Sequence, residues 1–432
     1  MKPASKLPCQ VIIVGGGVSG IAMACQLKNM LNLNDFCIYD RQKGLGGTWL
    51  ANTYPGCAVD IPGLCYSFSF APNPDFTQVF PPQAEILEYL TSVIERYSVN
   101  NHFTGGQEWV RAIWREKTKT WLAAFQDITT GEFFTQECQI LISAVGGLVN
   151  PQEFKMPGVE RFQGEIIHTA RWNHDVDLTN KKVAVIGNGA SAIQLVPAIF
   201  EQVKSVTQFM KTPHHIVHGS NYSISPEWRD IFRQIPILLY LIRLSLFLYM
   251  ELTWLVFQNN QLGRVTRASI EKQSRQYVQE TAPEHYWNLL IPTYKFGCKR
   301  RVFDRGYLNI LKSNKIRLTN NSIAEITTDA ILTNCGEKIY VDAILLANGF
   351  SLTHYNVELR GRNGKAREQH WKEHGHKVTF KSIAMHEFPN FFYILGPNSG
   401  RLYTSAVDII ERYVFLSKLY IAFSSRILIT RE

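Results

Sequence analysis

No two of the eight cysteines, Cys9, Cys25, Cys37, Cys57, Cys65, Cys138, Cys298 and Cys335, stand at C-x-x-C spacing. A zinc ribbon or a redox-active cysteine pair therefore has no support. No run rich in lysine and arginine marks a nucleic-acid patch either. The 45 basic residues outnumber the 36 acidic ones, but the resulting charge of +9 is spread thinly along the chain. An excess of that kind suits recruitment of an anionic small molecule rather than a polyanion. Long charge-free apolar runs are also missing: the longest apolar stretch, 235–257, is interrupted by Arg243 and Glu251. It falls short of the roughly 18 residues that mark a membrane helix. It reads as buried helices of an inserted subdomain, with peripheral membrane contact as the alternative. A strand signal beginning at Gln10 leaves no room for a secretory leader, so a reducing, cytoplasmic setting is expected.

The chain has 432 residues, 45% of them apolar and 19% charged, enough for two or three domains around substantial cores. No solenoid repeat occurs, yet one motif type appears twice. Residues 10–20 read QVIIVGGGVSG and residues 183–192 read VAVIGNGASA. Each is a β-branched run, a glycine-rich turn and a helical pattern, which predicts an α/β protein with two Rossmann-like, three-layer dinucleotide-binding domains. A strand-rich stretch over 109–134 leads to a domain exit at Gly146, Gly147 and Pro151. Strand signals return near 340–350, and a last strand and a helix from about Ala406 follow. The expected division is 1–150 completed by 348–432, 151–217 completed by 298–347, and a helical insertion over 218–297.

In the first motif Gly15 permits the tight turn, Gly17 admits a pyrophosphate and Gly20 allows close helix–strand packing. The helix N-terminus behind them favours anions. FCIYD ends on Asp40, an acid placed to bind ribose hydroxyls. In the second motif Gly187, Gly189 and Ala192 take the same three places, but the following strand leads to Lys211 and Thr212 instead of an acid. A cation and a hydroxyl there suit a 2′-phosphate, hence NADPH over NADH. His214, His215 and His218 form no metal-ligand pattern, and no metal is expected. His168 reads as a hinge or linker residue.

Residues 46–60, GGTWLANTYPGCAVD, and 162–173, FQGEIIHTARWN, resemble the long and short fingerprints of type I Baeyer–Villiger monooxygenases. The first matches at Gly46, Gly47, Trp49, Tyr54, Pro55, Gly56 and Asp60, the second at Phe162, Gly164, His168 and Trp172. Nitrogen- and sulfur-oxidising flavin-containing monooxygenases look similar, but typically carry Tyr or Phe where Trp172 stands; that reading, and a non-catalytic membrane-associated flavoprotein, stay open. The resemblance implies FAD in the first module and NADPH in the second, with oxygen from O2 inserted beside a ketone. It implies flavin contacts from Gly47, Thr48, Trp49, Asp60 and Tyr66. It also implies a 2′-phosphate contact from Lys299, and catalysis by Arg300 with Asp60. The run YPGCAVDIPGLCYSFSFAPNPDF resembles the branch found in fungal secondary metabolism. The partners implied are a small ketone and O2, not nucleic acid, with a monomer or homodimer as the assembly.

Overall fold

A computed structural model describes residues 4–351, 357–400 and 403–429. Of the segment 348–432 expected to complete the first module, 352–356, 401–402 and 430–432 lie outside the described residues. The run CQVIIV forms the strand Cys9–Val14, which is buried along nearly all its length. It pairs in parallel with Phe36–Asp40 on one side and Phe133–Ser143 on the other. Val11 and Ile13 face the helix Val18–Leu31, whereas Ile12 and Val14 face an aromatic cluster with Tyr39, Trp121 and Phe125. That alternation is what a strand covered on both faces requires, and it creates the layering. The antiparallel strands Gln107–Arg115 and Thr120–Asp127 extend one edge. From far along the chain, Phe391–Tyr393 joins Phe133–Ser143 in parallel, and Glu358–Arg360 joins Gln107–Arg115. The C-terminal helix Ala406–Ile429 packs on Val18–Leu31.

The second sheet is wholly parallel, in the order Ile316–Thr319, Ser205–Phe209, Lys182–Ile186, Ala343–Leu346, Glu165–His168. The chain passes between the sheets twice, and the two crossings pair with each other. Gln152 donates its N–H to Gly349 O at 2.9 Å and Ser351 donates to Asn150 O at 2.8 Å.

Helices Pro226–Gln234, Pro236–Leu252 and Gln261–Thr281 occupy the stretch expected to be helical. Burial there differs from expectation. Only Leu239 and Met250 are buried within Pro236–Leu252, and Ile237, Leu241, Leu248 and Leu252 are at least half exposed. The cause is Arg243, which turns inward: its guanidinium donates to Leu64 O, to Ser67 Oγ and to Ser67 O. A helix that is apolar all round and docks along its one cationic edge must leave apolar side chains outside.

The segment 46–60 leaves the first sheet and lies on the helix Ala190–Ile199 of the second. Tyr54 Oη donates to Gln194 Oε1 at 2.7 Å, and Gln194 Nε2 donates to Ala58 O at 3.0 Å. Gly56 has φ +79°, and a Cβ there would overlap the Gln194 carbonyl and press on Ala198. Gly56→Ala should therefore destabilise the protein by at least the roughly 1–2 kcal/mol that left-handed backbone costs a side-chain-bearing residue. Calorimetry should show a lower unfolding midpoint; an unchanged one would mean that the joint yields to a methyl group.

Candidate active site

The two glycine turns are built alike. Gly15 has φ +111° and Gly187 φ +120°, and a Cβ on either would overlap a carbonyl of the neighbouring crossing, Ala144 or Ala347. The helices behind them start at Gly17 and Gly189, neither with a side-chain cap. Their first-turn N–H groups are thus available to an anion. Open space surrounds the position of a Cβ on Gly189, whereas Gly17 lies against Gly47. The close approach of these two glycines brings the 46–60 segment onto the first phosphate turn. Gly20 has no room for a methyl beside the Gly15 carbonyl, but Ala192, fully buried at the matching place, does.

Asp40 accepts N–H bonds from Gly16 at 2.6 Å and Gln42 at 2.7 Å. Burial raises its pKa, and the two N–H bonds oppose that shift without cancelling it. Each oxygen keeps a lone pair, so ribose hydroxyls can still donate to it. These features fit FAD at the first turn. At the second, Lys211 and Thr212 are exposed just beyond Ser205–Phe209. The Thr212 carbonyl accepts from Asn188 Nδ2 at 2.8 Å, which ties that segment to the glycine turn. Lys299 stands 5.6 Å from the Tyr294 ring centre. His214 Nδ1 donates to Arg300 O at 3.3 Å, joining the stretch after Thr212 to the Lys299–Arg300 segment. An open turn with two lysines around it fits a phosphorylated nicotinamide nucleotide.

Between the two turns, Thr48 and Trp49 begin the short helix Thr48–Ala51 at the end of Gly47. Trp49 Nε1 donates to Tyr66 Oη at 3.1 Å, with the rings edge to face at 5.4 Å. Burial pushes the Tyr66 phenol up to about 12, and the nearby Asp60 adds to the shift while Arg300 opposes it. Tyr66 is therefore a neutral donor over the whole working range. Arg300 Nη2 meets Asp60 Oδ1 at 2.9 Å, with the side chains 39% and 28% exposed. Asp60, Arg300, Tyr66 and Trp49 are thus brought together, while Thr212 is tied to the second glycine turn and Lys299 stands over Tyr294.

Some contributors carried no sequence signal. Arg305 Nη2 donates to Val59 O at 2.7 Å and fixes the backbone next to Asp60. Gln194 and His214 hold the joint and Arg300, yet neither belongs to a motif. The histidines are bound separately: His215 Nε2 to Tyr294 O at 3.1 Å, and His218 Nδ1 to Tyr277 Oη at 3.2 Å. His168 accepts the Ala170 N–H on Nδ1 at 2.9 Å, which leaves Nε2 to donate to Gly349 O at 3.1 Å. Burial lowers its pKa, so a neutral ring ties a strand end to the second crossing.

A family model described as pyridine nucleotide-disulphide oxidoreductase matches residues 12–240. A Baeyer–Villiger monooxygenase of Pseudomonas aeruginosa is 33% identical over 423 residues, 95% of this chain and 77% of the relative. An FAD-binding monooxygenase of Aspergillus niger, ktnD, is 31% identical over 410 residues, 93% of this chain and 67% of the relative. Cyclohexanone monooxygenase from Rhodococcus sp. Phi1 bound to NADP+ superposes with a TM-score of 0.84 at 25% identity, covering 98% of this chain and 85% of that one. Identity over nearly the whole length joins a paired turn geometry and both fingerprints: the chain belongs to the Baeyer–Villiger monooxygenase family.

Proposed function

We propose that Asp60 and Arg300 form the reaction centre of an FAD-dependent, NADPH-consuming monooxygenase. It inserts one oxygen atom of O2 next to a ketone carbonyl to give an ester or lactone. The observation that carries this assignment is the 2.9 Å Arg300–Asp60 pair beside Tyr66 and Trp49, set between two uncapped phosphate turns. Residues 1–150 with 348–432 bind FAD, residues 151–217 with 298–347 bind NADPH, and 218–297 is the insertion. Gly15, Gly17, Gly20 and Asp40 hold the FAD phosphates and ribose, and Gly47, Thr48, Trp49, Asp60 and Tyr66 border its ring. Gly187, Gly189, Ala192, Lys211, Thr212 and Lys299 receive NADPH. When bound, FAD takes reducing equivalents from NADPH and activates O2.

The chain's own residues do the rest. Attack on a ketone needs an oxygen that keeps negative charge, and Arg300 is a cation that does not lose its proton at working pH. A fixed charge aimed where charge must persist is an efficient catalytic device because it needs no reorganisation. Asp60 holds the guanidinium in one orientation, Arg305 holds the backbone before Asp60, and His214 holds the carbonyl of Arg300. An ion pair this exposed contributes only about 0–1 kcal/mol to folding, so its value is positional. The ketone is of the secondary-metabolite, polyketide-like class; the fungal relatives from Aspergillus niger and Botryotinia fuckeliana support that reading.

The exposed face of Pro236–Leu252 (Ile237, Leu241, Leu244, Leu248 and Leu252) rests on the surface of a membrane containing anionic lipid. The chain's charge of +9 supplies the complementary sign. Arg243 holds the helix to the 64–67 loop, which makes the contact peripheral.

Lys211→Ala should weaken NADPH by about 10- to 150-fold, the loss of one charged contact, and leave NADH nearly unchanged. Equal losses for both, in flavin-reduction titrations, would remove Lys211 from the phosphate site. Arg300→Ala should bind FAD normally but form ester about 10²–10³ times more slowly, with oxygen consumption diverted to hydrogen peroxide or stopped. Product analysis beside stopped-flow spectroscopy checks this, and wild-type ester formation would refute the role. Leu248→Glu/Leu252→Glu should reduce co-flotation with anionic vesicles by at least about 100-fold, given roughly 1.5–3 kcal/mol per buried large side chain. Flotation equal to that of the unmodified protein would exclude this face.

A further inference from the structure

The strand Val302–Asp304 and its flanks alternate. Val302 and Asp304 are buried, whereas Arg301, Phe303 and Arg305 line the other face. That face looks onto the segment carrying Asp60. The Phe303 ring lies 5.7 Å from Phe80, Arg301 stacks over Phe303 at 5.1 Å, and Arg305 stacks over Phe80 at 5.1 Å. Two guanidinium planes therefore flank one pair of rings, but they are not equally satisfied. Arg305 donates to Val59 O. Arg301 has no hydrogen-bond acceptor and no ion-pair partner among the described residues, although burial is the main influence on it and lowers its pKa. Asp60, the carboxylate within its range, is already paired with Arg300. Tyr249 of Pro236–Leu252, itself 66% exposed, is near enough to interact with Arg301 electrostatically.

A part-buried guanidinium that stacks on an aromatic ring, keeps access to solvent and has no protein acceptor among the described residues can be met by an anion through a charge-assisted hydrogen bond. We propose that Arg301, with the Tyr249 hydroxyl beside it and Phe303 beneath it, is an anion subsite that grips a carboxylate on the ketone substrate. The preferred substrates are then keto acids, oriented by their charged end with the carbonyl toward Arg300. This rests on the monooxygenase reading above. The anion has two chemical sources, a substrate carboxylate or a phosphate of the nicotinamide nucleotide. Arg301 stacks on Phe303, which lies against Phe80 of the stretch that follows Asp60, and this placement favours the substrate.

The test uses the purified FAD-loaded enzyme with two probes, 4-oxocyclohexanecarboxylate and its methyl ester. Affinity is read from the flavin difference spectrum, and kcat/KM from product formation. The unmodified enzyme should favour the acid by about 10- to 150-fold, the value of one charged hydrogen bond. Arg301→Met, which keeps an apolar stem over Phe303, should bring that ratio near one. Arg301→Lys should restore part of the preference, because a point charge lacks the planar fork. Tyr249→Phe should reduce it by less than Arg301→Met does. No preference for the acid in the unmodified enzyme, or no binding of either probe, overturns the proposal. A raised KM for NADPH in Arg301→Met with an unchanged acid-to-ester ratio also overturns it, and makes Arg301 a cofactor contact. If neither probe is converted to lactone, the monooxygenase reading fails separately, while the binding ratio still reports on Arg301. Should Arg301→Met fail to fold, the unmodified enzyme and Arg301→Lys carry the test.

Discussion

Asp60 and Arg300 stand 240 positions apart in the chain, and their 2.9 Å contact exists only while the 46–60 segment lies on the helix Ala190–Ile199. The pair cannot hold that arrangement by itself, because half-exposed ions attract weakly in high dielectric. The holding is done by the Tyr54–Gln194–Ala58 bonds, by the side-chain-free approach at Gly56, and by Arg305 on the Val59 carbonyl. Each of these acts within a few residues of Asp60. Small displacements at the joint would therefore reach the Asp60–Arg300 pair with little loss.

The two chain crossings constrain the modules in a second place. Residues 150–152 and 349–351 pair as a short ladder, and His168 adds a bond from the second sheet to Gly349. The Nε2–H tautomer is set by the Ala170 N–H on Nδ1, and burial keeps the ring neutral. His168 is thus a tether whose bond does not depend on protonation near neutral pH.

Charge around the centre is unbalanced by design of the fold: Arg300, Arg301 and Arg305 all feel Asp60. One is paired with the carboxylate, one with a backbone carbonyl, and one with neither. Tyr66, protonated throughout, adds a donor and no negative charge. Such a site favours anionic oxygen, which matches the chemistry proposed for it.

The glycine turns, their strands and the 46–60 segment were legible because each depends on short-range requirements. A turn at φ +111° or +120° needs glycine wherever it occurs, and a strand covered on both faces needs a continuous apolar run. Asp60, Tyr66, Lys299 and Arg300 were picked out by spacing within a resemblance, and the structure brings Asp60 and Arg300 into contact. The roles of Gln194, His214 and Arg305 were not, because each acts on a residue far away in the chain and has no period or neighbour to announce it. The outward face of Pro236–Leu252 was misjudged for a similar reason. Composition shows that a helix is apolar, but which side is covered depends on what it packs against. Here Arg243 turns inward to Leu64 and Ser67, a decision made by tertiary contact alone.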